Sequence, residues 1–368
     1  MKNLIYLLLL SMTIPSCKKE EARQVNQYTI EQFYTNTRFE GGTFSADETR
    51  LLVGSDETGI FNLYEITLAD GAKKQLTTST VESYYPVDYV PGMSALIYSA
   101  DKGGNEIDHL YLLEDNGKTT DLTPGENNKV SFFKWSEDKK SMFYISNIRD
   151  PKYFDVYKMN IGEWIPTLFY ENKSGLDVNE ISDDEKTLVV SKTVTTSENE
   201  LYLVNKETGT QTELSLPDQK GRYGVSGFSK DNKYVFYLTD GGKEFTYLVQ
   251  YDMNSGERKV LYETNWDVMY TFLSEKETYR VIAINEDGKN TIIMQDAASG
   301  KTIDFPAIPD GDILGVEISD SEKLMRLSVG TSKAPNNIYL YNLETKELKK
   351  LTESLNKEIN ADDLVSAE

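Results

Sequence analysis

Short runs in which apolar and polar positions alternate fill this chain, as in Leu201-Tyr202-Leu203-Val204 and Gln75-Leu76-Thr77. A period of two predicts β-strands, and no stretch sustains a helical period. The runs also follow a longer beat. At each beat an apolar residue meets Ser or Pro, then a polar turn, then a second apolar run. The anchors are Phe44-Ser45, Val90-Pro91, Trp135-Ser136, Ile181-Ser182, Phe228-Ser229, Leu273-Ser274 and Ile318-Ser319, spaced by 46, 45, 46, 47, 45 and 45 residues. The run after the first anchor is Leu51-Leu52-Val53, and after the second Ala95-Leu96-Ile97-Tyr98.

A second marker keeps the same beat. Tight turns follow each anchor at Ala69-Asp70-Gly71, Asp115-Asn116-Gly117, Asn160-Ile161-Gly162, Glu207-Thr208-Gly209, Asn254-Ser255-Gly256 and Ala298-Ser299-Gly300. The seventh, Glu344-Thr345-Lys346, lacks the glycine. Glycine supplies the positive φ that a short hairpin needs. Each repeat therefore reads as four strands, an inner A, then B and C, and an outer D. Repeats of 40 to 50 residues with four strands each predict an all-β fold, a seven-bladed β-propeller of four-stranded antiparallel blades. All four strands of a blade come in order, so contact between blades 1 and 7 is expected to close the ring without a shared strand.

The N-terminus stands apart from this pattern. Met1-Lys2-Asn3 is a short positive stretch, and the apolar run Leu4–Met12 is too short to span a bilayer. Ile14-Pro15-Ser16-Cys17 then resembles a bacterial lipoprotein processing site, and Cys17 is the only cysteine in the chain. Residues 1–16 are expected to be a signal peptide. Residues 17–36 are expected to be lipidated Cys17 and a flexible tether, with 37–355 forming the propeller. Lys18-Lys19-Glu20-Glu21 resembles the surface-export signal of some bacterial lipoproteins. These features imply the bacterial cell envelope, with a lipid anchor in the outer membrane.

Charge and side-chain inventory narrow the function. The formal net charge is −21 and basic blocks interleaved with aromatics are absent, which argues against nucleic acid as a partner. No Gly-x-Ser-x-Gly turn is followed by a histidine; the nearest approaches are Gly224-Val225-Ser226-Gly227 and Gly330-Thr331-Ser332-Lys333. The single histidine, His109, opens strand C of blade 2, and a hydrogen-bonding role suits it better than a catalytic one. With no second His and no Cys nearby, a zinc-type site is not expected. Asn285-Glu286-Asp287-Gly288 and Asp310-Gly311-Asp312 have calcium-like composition but read better as hairpin turns. A propeller glycosidase or lyase would need acids converging on the inner strands, and the anchors select no such pair. No residue is assigned a catalytic, cofactor-binding or metal-binding role.

The remaining candidate is one propeller face. The B–C and D–A connections share a face, and the B–C connections Ala100–Asp108, Asn147–Tyr153, Lys192–Glu200 and Thr331–Asn337 are long. The charged residues Asp101, Lys102, Arg149, Asp150 and Lys152 on these connections are the candidate binding residues for a peptide or protein.

Three segments carry a family resemblance. Ser55-Asp56-Glu57-Thr58-Gly59-Ile60-Phe61-Asn62-Leu63-Tyr64, with Gln75-Leu76-Thr77, looks like a blade of the TolB or PD40 type. Asp101-Lys102-Gly103-Gly104-Asn105-Glu106 leading to His109-Leu110-Tyr111 and Asp121-Leu122-Thr123-Pro124-Gly125 is more specific, as is Asn147-Ile148-Arg149-Asp150-Pro151-Lys152-Tyr153-Phe154-Asp155-Val156-Tyr157. From about Phe33 onward the chain resembles the N-terminal propeller of prolyl-oligopeptidase-family serine peptidases, of the dipeptidyl and acylaminoacyl types. The resemblance implies a propeller that covers an active site and admits short or unstructured peptides. It also implies that Ser, Asp and His lie in a hydrolase domain, so none can be placed on this sequence. Residues 356–368 resemble the linker to that domain. The expectation is a non-catalytic gating or peptide-binding propeller, with a separately supplied hydrolase domain as partner. The alternative is a stand-alone TolB-like envelope lipoprotein that binds protein or peptide partners.

Overall fold

The computed structural model describes residues 25–216, 218–308 and 311–366. The expected signal peptide, Cys17, Lys18–Glu21 and Asp310 lie outside the described residues.

Seven four-stranded antiparallel sheets follow one another along the chain, each built from four consecutive strands. In blade 1 these are A (Phe39–Phe44), B (Arg50–Ser55), C (Asn62–Thr67) and D (Lys73–Gln75). No strand is shared between blades 1 and 7. The C–D turn glycines hold positive φ, from 69° at Gly300 to 88° at Gly162, and Lys346 adopts 64° without glycine.

The B strands explain the unbroken apolar runs of the sequence, because they are buried on both faces. In blade 1, Leu51 and Val53 pack toward blade 7 with Ile338 and Leu351, while Leu52 packs toward blade 2 with Leu96 and Tyr98. The same parity holds around the ring. Met142 and Tyr144 of blade 3 face blade 2, and Phe143 faces blade 4. Val235 and Tyr237 of blade 5 face blade 4, and Phe236 and Leu238 face blade 6. Each blade–blade interface thus has its own apolar cluster, and Val281, Met325 and Leu327 complete the set between blades 6 and 7. Burying one such side chain contributes roughly 1.5–3 kcal/mol, so these clusters dominate the stability of the ring.

The A–B turns fix how the blades meet. Ser45, Ser136, Ser182, Ser229, Ser274 and Ser319 are buried. Each serine Oγ accepts the N–H of the residue five positions on, at 2.9 to 3.3 Å. The residue three positions after each serine takes a left-handed conformation although it is never glycine: Glu48, Lys139, Glu185, Asn232, Glu277 and Glu322, with φ of 53–63°. That conformation costs roughly 1–2 kcal/mol for a residue with a Cβ. Most of these side chains recover something by reaching back to the preceding blade. Glu48 accepts from Ser321 N at 2.6 Å and Ser319 Oγ at 2.9 Å of blade 7. Glu322 accepts from Lys276 N at 2.7 Å, Glu277 from Lys230 N at 2.8 Å, and Asn232 from Asp183 N at 3.0 Å. Glu185 takes the Lys158 ammonium instead, at 2.6 Å.

Blade 2 departs from this scheme and from the sequence expectation. The Val90 N–H, not a serine N–H, bonds the Ala95 carbonyl at 2.9 Å, so Val90 occupies the serine position and the anchor pair is shifted by one residue. Pro91-Gly92, with Gly92 at φ 72°, makes the turn instead, with Pro at the second and Gly at the third position as in a type II turn. Met93 stands where the other blades place the reaching side chain, and it bonds nothing across.

The two ends of the described chain meet over the seam between blades 7 and 1. Residues 25–36, expected as part of a flexible tether, contain a helix at Ile30–Tyr34 closed by a Thr29–Gln32 capping box. They hold the C-terminal segment. Tyr28 OH donates to Asp363 Oδ2 at 2.7 Å, Asn360 N donates to Tyr28 OH at 2.9 Å, and Gln32 Nε2 donates to Glu358 at 3.0 Å. Asn356 Nδ2 donates to Thr35 Oγ1 at 2.7 Å and Thr37 N donates to Ser354 O at 2.9 Å. On the other side of the seam, Lys349 Nζ donates to the Ala69 carbonyl at 2.7 Å.

Glu48→Ala removes the only side chain of blade 1 that caps the blade 7 turn and leaves the Ser321 N–H without its acceptor. We expect a loss of about 1–2 kcal/mol in urea unfolding. Lys139→Ala, at the same left-handed position but with no bond to the preceding turn, is expected to change stability by less than about 0.5 kcal/mol.

Candidate binding face and channel

The five candidate residues lie on the B–C face of two neighbouring blades but do not converge. Asp101 and Lys102 belong to the blade 2 loop between Ala95–Ala100 and His109–Glu114. Asp101 Oδ2 accepts Glu106 N at 2.8 Å and so shapes its own loop. Lys102 is exposed and borders a cavity of about 390 Å³ shared with His109, Tyr111 and Asp121. Both His109 ring nitrogens are engaged, Nδ1 with Asp121 Oδ2 at 2.8 Å and Nε2 with the Gly125 carbonyl at 2.9 Å. The imidazole fastens the D–A connection of blade 2 and has no nitrogen left to act as a base.

Arg149, Asp150 and Lys152 belong to blade 3. Here strands Ser141–Asp150 and Tyr153–Asn160 continue to a two-residue tip, so Asn147–Tyr153 is an extended hairpin rather than a loop. Thr331–Asn337 of blade 7 is likewise strand on both sides of a tight turn. Asp150 Oδ1 accepts Lys152 N at 2.9 Å and sets the tip. Arg149, although exposed, is committed to partners within its own blade. Its Nε and Nη2 grip the Asp155 carboxylate at 2.6 and 2.9 Å, and Nη2 also reaches the Asn172 carbonyl at 3.0 Å. Asp155 is completely buried, and a carboxylate there needs such a partner. Arg149 therefore positions the hairpin. Exposed Lys152, with the exposed apolar Ile148 and Phe154, is what the hairpin offers to a ligand.

A larger concavity was not singled out by sequence. It opens on the same face at the channel mouth between blades 4, 5 and 6, with a volume of about 690 Å³. Its rim carries the hydroxyls of Thr193, Thr195 and Thr196, with Arg222 and Met269. Two carboxylates serve the rim's own loops, Asp240 accepting Arg222 N at 2.7 Å and Asp267 accepting Thr246 N at 2.9 Å. The Arg222 guanidinium forms no ion pair among the described residues. Met269 and Leu314, the extra residues of bulges in the A strands of blades 6 and 7, remain exposed. Hydroxyls, one unpaired cation and apolar surface suit a peptide's carbonyls, carboxylate and side chains.

Deeper along the channel, charged residues precede the apolar anchors of four A strands: Asp88, Lys134, Glu180 and Glu317. Lys134 Nζ donates to Glu180 at 3.0 Å and to the Ile181 carbonyl at 3.0 Å. Burial works against this ammonium, but the Glu180 and Asp183 carboxylates outweigh it and raise its pKa. Glu317 accepts Arg326 Nη2 at 3.0 Å. Arg326 fits because the blade 1 strand is glycine there: a Cβ on Gly42 would lie 2.9 Å from Arg326 Nε. Asp88 accepts Trp135 Nε1 at 2.8 Å and Tyr89 N at 2.7 Å. Burial pushes the Asp88 carboxyl up to about 6 despite these donors. Each acid has a partner of its own, so no two free carboxyls oppose each other; Asp88–Trp135 and Lys134–Glu180 join neighbouring blades, and Glu317–Arg326 lies within blade 7. Among the described residues no three His, Cys, Asp or Glu side chains gather as a metal site.

Because its folded pKa is raised, Asp88 holds a proton in the folded protein at pH values where the unfolded chain has lost it. Its burial therefore costs nothing below about pH 4, and the cost grows as pH rises to about 6 and stays above it. Asp88→Asn keeps an oxygen for Trp135 and abolishes the charge. The variant is expected to gain on the order of 2 kcal/mol over the parent at pH 7 relative to pH 4 in denaturant unfolding.

The family comparison agrees with this architecture. The sequence model of the prolyl oligopeptidase N-terminal β-propeller domain matches residues 87–354. Among curated proteins, none matches this chain. Similar solved structures include a prolyl endopeptidase analysed for the role of inter-domain dynamics in catalysis and specificity, at 16% identity and a TM-score of 0.67, covering 87% of this chain and 50% of that one. Prolyl oligopeptidase B from Galerina marginata is similar both as a mutant bound to a 35mer hydrolysis and macrocyclization substrate and as apo protein. Identities are 14% and 13%, TM-scores 0.67 and 0.66, with 90% of this chain covered each time. The chain spans about half the length of these structures. The match over most of the chain and the seven four-stranded blades together place it in one family: this chain belongs to the prolyl oligopeptidase N-terminal β-propeller family.

Proposed function

We propose that this chain is the gating and peptide-binding propeller of a prolyl-oligopeptidase-like serine peptidase, acting with a hydrolase domain supplied separately. The observation that carries this reading is the channel mouth on the B–C face. Hydroxyls, the unpaired Arg222 and exposed Met269 surround a concavity of about 690 Å³ there. The face also bears most of the exposed apolar side chains of the connections, including Ile148, Phe154 and Val194. Such a surface suits a covering domain and short peptides. The chain's one histidine is occupied on both nitrogens, which supports a reading in which hydrolysis comes from another part.

One observation favours the second reading, a stand-alone binding lipoprotein. The end segments clasp each other through Tyr28, Asn356 and Asp363, which fastens the ring without help from a further domain. In both readings the chain is exported and anchored to the bacterial envelope through a lipid on Cys17.

Titration of fluorescent proline-containing peptides into the purified chain is expected to give saturable binding and no cleavage. Arg222→Ala is expected to weaken peptides with a free carboxylate about tenfold, and the corresponding amides much less. Cleavage by the pure chain would overturn the gating reading, and no peptide binding would leave a protein-binding lipoprotein as the better account. Cys17→Ser is expected to move the chain from the membrane fraction to the soluble envelope fraction; unchanged fractionation would contradict the anchor.

A further inference from the structure

One position breaks the apolar rule of the blade interfaces. The second residue of strand B is Leu51, Leu96, Met142, Leu188, Val235 or Met325 in blades 1 to 5 and 7, and none of these is more than 5% exposed. Blade 6 has Arg280 there, itself only 6% exposed. Its guanidinium lies 4.4 Å over the Phe236 ring of blade 5 and makes no hydrogen bond or ion pair among the described residues. A ring face attracts the cation but takes none of its N–H donors. Burial lowers the Arg280 pKa to about 10, opposed only by the Glu277 carboxylate, which already accepts Lys230 N at 2.8 Å.

Strand register sets further donors beside this guanidinium. In blade 6, Gln295 pairs with Arg280 and Thr302 with Gln295. In blade 5, Gln250 pairs with Phe236 and Lys259 with Gln250. Direct partners in an antiparallel sheet share a face. Leu248 and Ile293, two residues from Gln250 and Gln295, pack in the blade 5–6 cluster, so both rows front this interface. Gln250 and Gln295 are half-buried while Lys259 and Thr302 are exposed, so the rows open to solvent at the outer rim. None of these four side chains has a hydrogen bond or ion pair among the described residues. Neither row contains an acid. At the same level elsewhere the charges are paired: Glu65 of blade 1 accepts Arg50 and Tyr89, and Lys158 of blade 3 holds Glu185.

We propose that these donors bind a tetrahedral oxyanion, a phosphate group, at the rim of the blade 5–6 interface. Arg280, held flat against Phe236, presents its planar fork to the oxyanion, a geometry that suits phosphate. Lys259 and the amides of Gln250 and Gln295 serve the remaining oxygens. A cation would find no acceptor charge in either row, and a carboxylate has one oxygen fewer for the donors present. The anion also supplies the counter-charge that a buried guanidinium lacks. The site lies at the A–B end of the interface, away from the channel mouth, and does not depend on the peptidase reading.

The test is calorimetric titration of inorganic phosphate into the full chain at about pH 8, where the ion is doubly charged, with ionic strength held constant by potassium chloride. Saturable binding is expected, together with a rise in unfolding temperature. Arg280→Met installs the side chain that blades 3 and 7 carry at this position and should weaken phosphate about tenfold or more. Lys259→Gln changes an exposed residue and should weaken it several-fold, so the proposal stays testable if the first variant does not fold. Arg222→Ala, at the channel mouth, should leave phosphate binding unchanged. Glycerol 3-phosphate binding as tightly as phosphate would identify a phosphate group on a larger molecule as the occupant, and binding of inorganic phosphate alone would identify the free ion. Absence of saturable binding up to about 50 mM phosphate, or unchanged affinity in a folded Arg280→Met or Lys259→Gln variant, would overturn the proposal. Because the peptide titration reads Arg222 at the other end of the ring, failure of one does not mimic failure of the other.

Discussion

Burial of strand B on both faces is the constraint on which the rest of this structure depends. A sheet whose central strand is apolar on both sides cannot stand alone, because one face would meet water. Leu51, Leu52 and Val53 are satisfied only when blades 7 and 2 are both in place. The same holds for Met142, Phe143 and Tyr144 of blade 3. Seven such blades therefore need a closed ring, and an open end would expose a full blade face. With no shared strand, closure falls to side chains: the cluster around Leu51 and Ile338, the Glu48 carboxylate on the blade 7 turn, and the clasp of the two end segments.

The two faces of the ring are built to different ends. On the A–B face, buried serines and reaching Glu and Asn side chains join turn to turn, so the blades are indexed against one another. Each such bond is worth about 1 kcal/mol, against several for an apolar cluster. Their effect is on geometry more than on total stability. The B–C face joins neighbours too: Asn199 donates to Tyr223 O and accepts Tyr223 N, both at 2.8 Å, Asp267 accepts Thr246 N at 2.9 Å, and Asp312 accepts Asn290 N at 2.8 Å. Other polar side chains there shape individual loops, as Asp101, Asp150 and Asp240 do, and several apolar residues stay exposed. The exposed apolar residues are what suits the B–C face to meeting partners.

The blade count and strand order were legible because two-faced burial leaves near-continuous apolar runs, and because the C–D turns need positive φ. Blade 2 was read one residue out of register, since Pro91-Gly92 makes a different turn from the serine blades and Val90 fills the serine position. That shift also hid the alignment of Asp88 with Lys134, Glu180 and Glu317, which becomes a pattern only in the correct register. Arg149 looked like a surface ligand contact. Its partner Asp155 was in view, but their pairing depends on hairpin register, with Ser146 opposite Asp155 and Asp150 opposite Tyr153. The channel-mouth concavity was not legible, because Thr193, Arg222 and Met269 come from three blades and share no motif. The helix at Ile30–Tyr34 did leave a signal, the Thr29–Gln32 capping box, within a stretch whose charge and position suggested a tether.

Closure of the ring at the seam is most directly tested by hydrogen–deuterium exchange, resolved by peptide, on the intact chain under native conditions. If side chains and the end clasp close the ring as fully as the other interfaces, the B strands of blades 1 and 7, Arg50–Ser55 and Leu324–Thr331, will be as protected as Thr187–Thr193 and Tyr234–Thr239 of blades 4 and 5. Markedly faster exchange confined to the two seam strands would show a ring that opens between blades 7 and 1, and would contradict this account.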